Sequence, residues 1–249
     1  MVIDGDLRRD GYAVVRGLLS PEKVAQVREM AEATFARVKI EGDLAGTVDI
    51  THQNPLFREL IRHAPALAVL REYGNPYYFG HAVIHKPRQE RRRNWHMDWW
   101  GWADAEASGG ELPPQVGILY YLQDTGLEQG CLTVLPGSHR SPGDEQIHSL
   151  RTNANGACPG EVLVPVQAGD GILLDARCWH ASQRNEVLDN RICLTLWYLL
   201  QYERLSPEAQ AHSLQGVEWL RGLMPEMVPP PTTGKAADYQ RVSMPEWWA

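Results

Sequence analysis

The residues in this chain best suited to chemistry are His96 and Asp98, within Asn94-Trp95-His96-Met97-Asp98-Trp99. Side chains two apart on an extended segment point to the same face, so one imidazole and one carboxylate could grip a single divalent metal from one strand end. Chance alone supplies about half an instance of His-x-Asp in a chain of this composition, so the pair gains its meaning only from partners elsewhere in the chain. Two such partners, His180 and Arg191, lie far downstream. With His180 folded beside the pair, the set becomes the facial arrangement of two histidines and one carboxylate that non-haem Fe(II) oxygenases use. That arrangement leaves coordination positions open for a co-substrate and O2. A dicarboxylate that chelates the metal with one end needs a cation for the other, and the planar fork of a guanidinium suits that task. Arg191 has the right chemistry to do this from an adjacent strand.

Such side chains must be held by strands, and the chain supplies them in its second half. Tyr77 to Lys86, Gln115 to Leu122, Leu132 to Leu135, Glu161 to Val166, Gly171 to Asp175 and Arg191 to Leu200 are rich in β-branched and aromatic residues. Turn clusters separate them, among them Pro136-Gly137-Ser138, Gly169-Asp170-Gly171 and Asp189-Asn190. The first part reads differently. Ser20-Pro21-Glu22 marks a helix start, and Val24, Val27, Ala31 and Val38 recur at helical spacing, which predicts a helix from Pro21 to about Lys39. Two shorter helices, Leu56 to His63 and Ala66 to Tyr73, are expected on either side of Pro65. Helices first and short strands after imply an α+β chain, mainly β, with a sandwich or barrel as its catalytic part.

The bulk properties narrow the function classes. A net charge of −7 over 249 residues argues against a general nucleic-acid or anionic-membrane surface. No secretory leader and no membrane-spanning apolar run is visible, which points to a cytoplasmic protein. The four cysteines, Cys131, Cys158, Cys178 and Cys193, lack CxxC spacing and read as reduced, buried thiols.

Motifs along most of the length carry a resemblance. Asp10-Gly11-Tyr12-Ala13-Val14-Val15-Arg16-Gly17-Leu18-Leu19-Ser20, Lys86-Pro87 ahead of His96-Met97-Asp98, and Gly130-Cys131-Leu132-Thr133-Val134-Leu135-Pro136-Gly137-Ser138-His139-Arg140 occur in this order. His180-Ala181-Ser182 with Asn185 and Arg191 comes after them. In these segments the chain resembles the phytanoyl-CoA dioxygenase family of Fe(II)/2-oxoglutarate oxygenases. The resemblance implies a double-stranded β-helix, a cupin-like jelly-roll barrel with flanking N-terminal helices. As a single domain over 1–249, it would comprise a helical lead-in (1–75), a jelly-roll core (about 76–202) and a helical or irregular tail (203–249). It implies His96, Asp98 and His180 as iron ligands, Arg191 on the distal carboxylate of 2-oxoglutarate, and Ser182 assisting. The cofactors would be Fe(II), 2-oxoglutarate and O2. Because the carboxylate ligand is present, hydroxylation of a substrate C–H is expected over halogenation.

Further candidates are Lys86 and Gln115, on strands expected to line the co-substrate side, and Thr133 and Tyr121, which alternation could turn into the barrel. Trp99, Trp100 and Trp102 would form an aromatic wall for a small-molecule substrate or seal the barrel mouth as packing. His139 and Arg140 could reach that mouth. A cupin-like metal-dependent isomerase or hydrolase with the same three ligands, and a non-catalytic binding barrel, are the alternatives. Neither needs a clamp such as Arg191. The oligomeric state has no signature in the sequence.

Overall fold

The computed structural model describes residues 2–35, 54–89, 93–99, 110–141 and 157–235. Ten strands are present among them: β1 Ile3–Asp6, β2 Tyr12–Val15, β3 Tyr77–Gln89, β4 Arg93–His96, β5 Gln115–Tyr121, β6 Leu132–Val134, β7 Val162–Val164, β8 Gly171–Asp175, β9 His180–Ser182 and β10 Asn185–Leu199. They form a six-stranded sheet in the order β1-β2-β8-β5-β10-β3 and a four-stranded sheet in the order β4-β9-β6-β7. All pairings are antiparallel. The helices are α1 Leu7–Asp10, α2 Pro21–Phe35, α3 Pro55–Ile61, α4 Ala64–Leu70 and α5 Pro207–Gln215. The α+β, mainly β, jelly-roll expectation is met.

Two cores arise from the period-2 alternation of the central strands. On one face of the large sheet, Val116, Ile118 and Tyr120 of β5 and Ile192, Leu194 and Leu196 of β10 pack against Val27, Phe57, Leu60 and Leu70 from the helices. On the other face, Leu119, Tyr121, Ile172, Leu174 and Cys193 meet Leu132, Val134 and Val164 of the small sheet. Burial on both faces explains why β5 and β10 read as nearly continuous apolar runs. The polar residues that interrupt β10, Arg191 and Thr195, share the parity of Cys193 and so face the space between the sheets.

Local chemistry sets the ends of these elements. The Ser20 hydroxyl accepts the Lys23 amide at 3.2 Å and starts α2, whose Val24, Val27, Met30 and Ala31 are buried. At the end of α1, Gly11 takes a left-handed conformation (φ 81°) and its amide returns to the Leu7 carbonyl. A Cβ there would sit 2.6 Å from His139 Nδ1, so the turn excludes any larger residue.

Some expectations need correction. The break between α3 and α4 falls at Arg62 and His63, while Pro65 sits in the first turn of α4, where its missing amide costs nothing. Asp189-Asn190 is no turn. It lies inside β10, where the pairing with β3 shifts register between Asn185 and Asn190, a bulge that absorbs the turn-forming residues. The segment expected as a helical lead-in also contributes β1 and β2 to the large sheet. The four cysteines form no disulfide and are buried, as expected. Among the described residues no helix is long and apolar enough to cross a membrane.

Candidate metal centre

β4 ends on His96 and β9 begins on His180, and the two residues are direct cross-strand partners. Their side chains therefore share the inner face of the small sheet, with ring centroids 4.1 Å apart. Asp98 lies two residues beyond the end of β4 and folds back to them. Its carboxylate oxygens stand 3.9 Å from His96 Nε2 and 3.8 Å from His180 Nε2. Those gaps lie outside hydrogen-bond range, and the three groups surround a common point. One donor atom from each lies within 4.8 Å of the others, and all three residues are buried. His180 Nδ1 is 3.0 Å from the Cys178 carbonyl. A carbonyl only accepts, so Nδ1 carries the proton and Nε2 presents its lone pair to the centre.

Two imidazoles and one carboxylate form a donor set for a divalent transition metal with open positions. The pair expected on one strand end is thus split: His96 is fixed by the ladder, and Asp98 by contacts from the opposite sheet. Gln115 Nε2 donates to the Asp98 backbone carbonyl at 3.3 Å, and the Trp197 indole Nε1 donates to Asp98 Oδ2 at 3.3 Å. Gln115, expected near the co-substrate, thus holds the loop that carries Asp98. Trp197 is a site residue that sequence reasoning misses. Its parity with Arg191 on β10 is the available signal.

A cationic end of the site lies along the same inner faces. Lys86 of β3 is the cross-strand partner of Arg191 on β10, and both are buried. The Lys86 ammonium donates to Ser182 Oγ at 2.9 Å, to the Ser182 carbonyl, and to the Gln183 carbonyl. It thereby ties the large sheet to β9 two residues beyond His180. Arg191 lies 5.5 Å over the Tyr121 ring, and among the described residues its Nη1 makes two long bonds, 3.3 Å to the Gly130 carbonyl and 3.4 Å to the Tyr121 hydroxyl. Burial pushes the Tyr121 phenol well above its ordinary range, so it stays protonated beside the guanidinium. Arg191 Nε is buried with no hydrogen-bond partner among the described residues. A buried guanidinium with an unused donor fits an anionic ligand.

The remaining candidates fall elsewhere. Thr133 does not line the site. Val134 pairs with His180 and Thr133 with Ala181, so Thr133 faces away from the histidines, where its hydroxyl accepts from Gln183 Nε2 at 2.8 Å. Alternation cannot say which parity faces inward. His139 is buried, and its Nε2 donates to the Arg8 carbonyl at 2.9 Å, which makes it a strut between this loop and α1. Arg140 is exposed. Trp99 packs onto the cluster of Leu199, Tyr202, Leu205 and Ala209. Trp100 and Trp102 lie outside the described residues.

Residues 7–193 match the Phytanoyl-CoA dioxygenase (PhyH) family. The chain belongs to that family. Among its relatives, the ectoine dioxygenase of Nocardia farcinica (strain IFM 10152) is 25% identical over 210 residues, covering 71% of this chain and 70% of that protein. The 2-oxoglutarate-dependent epimerase SnoN of nogalamycin biosynthesis, solved with Fe3+, α-ketoglutarate and nogalamycin RO, superposes with a TM-score of 0.62 at 25% identity, over 78% of this chain and 80% of that one. HygX of Streptomyces hygroscopicus, solved with nickel, 2-oxoglutarate and hygromycin B, shares the fold, with a TM-score of 0.64 at 19% identity over 78% and 85% of the two chains. Family membership together with the donor set makes this PhyH-family chain an iron- and 2-oxoglutarate-dependent oxygenase, with O2 as the second co-substrate.

Proposed function

We propose that this PhyH-family chain hydroxylates an unactivated C–H of a small molecule, with His96, Asp98 and His180 holding Fe(II). The convergence of these three donors at the adjoining ends of β4 and β9 is the observation that carries the reading. With 2-oxoglutarate and O2, the metal supplies an oxidant that removes hydrogen from the substrate, and succinate and CO2 are released. The protein's own residues position these reactants. Arg191, with its unused Nε, takes the distal carboxylate of 2-oxoglutarate. Ser182 Oγ accepts from Lys86, which leaves its own O–H free to donate to the same carboxylate. Gln115 keeps the Asp98 backbone in place.

Asp98 fills the coordination place that a halide would otherwise need, which supports oxygen transfer over halogenation. Epimerisation is the second reading, favoured by the likeness to SnoN. It uses the same metal and 2-oxoglutarate residues but returns a hydrogen to the substrate with no net oxidation, so each turnover that forms succinate also needs two electrons from an added reductant such as ascorbate. The test is anaerobic loading with Fe(II) and 2-oxoglutarate, then a metabolite screen scored by substrate-stimulated succinate formation and by product mass. A gain of one oxygen supports hydroxylation, and an unchanged mass with inverted configuration supports epimerisation. Asp98→Ala and His180→Ala should each reduce stimulated succinate to background. Persistence of that activity in either variant refutes the assigned centre.

A further inference from the structure

The two histidines and the aspartate of the candidate centre are held by different means. His96 and His180 lock one another through the β4–β9 ladder. Asp98 has no ladder of its own, since residues 97–99 lie beyond the strand. Its backbone is held by Gln115, and its carboxylate receives the Trp197 indole N–H on Oδ2. Trp197 is buried, and its cross-strand neighbour on β5 is Gly117. A Cβ on Gly117 would lie 3.2 Å from Trp197 Nε1 and 3.3 Å from the adjacent ring carbon, so the absence of a side chain there makes the slot for the indole.

We infer that Trp197 is a positioning residue that commits one oxygen of Asp98, so that the carboxylate offers the metal a single ligand atom. The inference rests on the assignment of His96, Asp98 and His180 as the metal centre. Coordination number gives this role its value. A co-substrate that chelates through two atoms, together with O2, needs three open positions, and a carboxylate bound through both oxygens would take one of them. An indole N–H is suited to prevent that. It donates only, so it cannot itself ligate the metal, and being neutral it places no competing positive charge beside the metal position. Partners of this kind around a metal ligand typically contribute roughly 10- to 100-fold in metal affinity.

The test compares Trp197→Phe with the intact protein by Co(II) titration against a competing chelator and by the visible absorption of the Co(II) form. The Phe variant keeps the ring in the Gly117 slot and removes the donor. Expected are a roughly 10- to 100-fold weaker Co(II) affinity and an altered Co(II) spectrum, reporting changed coordination. Tyr198→Phe is the control for general damage. It removes the hydrogen bond from the Tyr198 hydroxyl to the Ile61 carbonyl on the opposite face of the same strand, and should leave Co(II) binding unchanged. If Trp197→Phe fails to fold, Gly117→Ala crowds the indole and should shift Co(II) affinity and spectrum in the same direction. Co(II) affinity within twofold of the intact protein and an unchanged spectrum overturn the role of Trp197 while leaving the metal centre standing. Absence of Co(II) binding by the intact protein overturns both.

Discussion

Replacing Arg191 by Lys tests the co-substrate end of the site while leaving the metal end alone. The guanidinium is buried, is stacked over Tyr121, and has one nitrogen unused among the described residues. Its existing bonds, at 3.3 and 3.4 Å, are long enough to yield to a better acceptor. A carboxylate gripped by such a fork receives two charge-assisted bonds, each contributing about 1.5–3 kcal/mol. Lysine keeps the charge but offers a point donor in place of the fork, so one of the two is lost. At about 1.4 kcal/mol per factor of ten, 2-oxoglutarate affinity should fall by about 10- to 150-fold. Calorimetric titration of 2-oxoglutarate into Co(II)-loaded protein reads this directly, and the KM for 2-oxoglutarate in succinate formation should rise in parallel with little change in kcat. Metal affinity should stay within about threefold. A change in 2-oxoglutarate affinity below threefold, with metal binding intact, would show that the distal carboxylate is held elsewhere and that the unused Nε has no part in it.

Other consequences concern stability. Arg177 and Asp175 form a fully buried ion pair at 2.7 Å, and Arg177 also donates to the Gly110 and Leu112 carbonyls ahead of β5. Arg177→Met should cost about 3–5 kcal/mol by stranding the carboxylate, or roughly 6–20 °C in Tm for a chain of this size, and Asp175→Asn added to it should recover part of the loss. Burial raises the Asp170 carboxyl, but the Gln167 and Gly17 amides and Arg16 outweigh it and hold it below its ordinary range. A depressed carboxylate contributes stability above its unfolded pKa and loses it as pH falls through the folded value. Asp170→Asn should therefore lower Tm at pH 7, with the difference narrowing progressively below about pH 4; a constant difference across that range would reject the linkage. Burial pushes the Cys178 thiol up to about 12, and all four thiols are buried. A thiol reagent should label none of them rapidly in the native protein and all four after unfolding.

Much of the site is legible because it is written in spacing. His96 and Asp98 stand two apart, Ser182 two after His180, and Arg191 heads the apolar stretch of β10; alternation carries the face of Ser182 and Arg191, while Asp98 lies beyond the end of β4. Alternation, however, says only that two residues share a face, never which face is inside. That is why Thr133 is misplaced by sequence alone, its side being decided by the pairing of Val134 with His180. Trp197 is hidden among other large apolar residues of β10, since its indole donor matters only through the Asp98 loop that reaches it from 99 residues away. The Asp175–Arg177 pair is equally silent, because two exposed charges at that spacing look the same in sequence as two buried ones. The bulge at Asn185–Asn190 reads as a turn because local residue preference competes with a long-range ladder that wins.

The two-faced character of β10 also constrains how this sequence can change in length. From Arg191 to Tyr198, odd-numbered residues face the space between the sheets and even-numbered ones the helix-packed core. A one-residue slip of this segment would exchange the two sets, turning the guanidinium toward the helices and an isoleucine toward the space between the sheets. The bulge just upstream, already out of register with β3, is the place where an inserted or lost residue can be taken up without reaching Arg191. Variation in chain length is therefore to be sought before Asn190, and variation that changes what the site does at Arg191, Thr195 and Trp197, whereas Cys193 on the same face belongs to the core between the sheets.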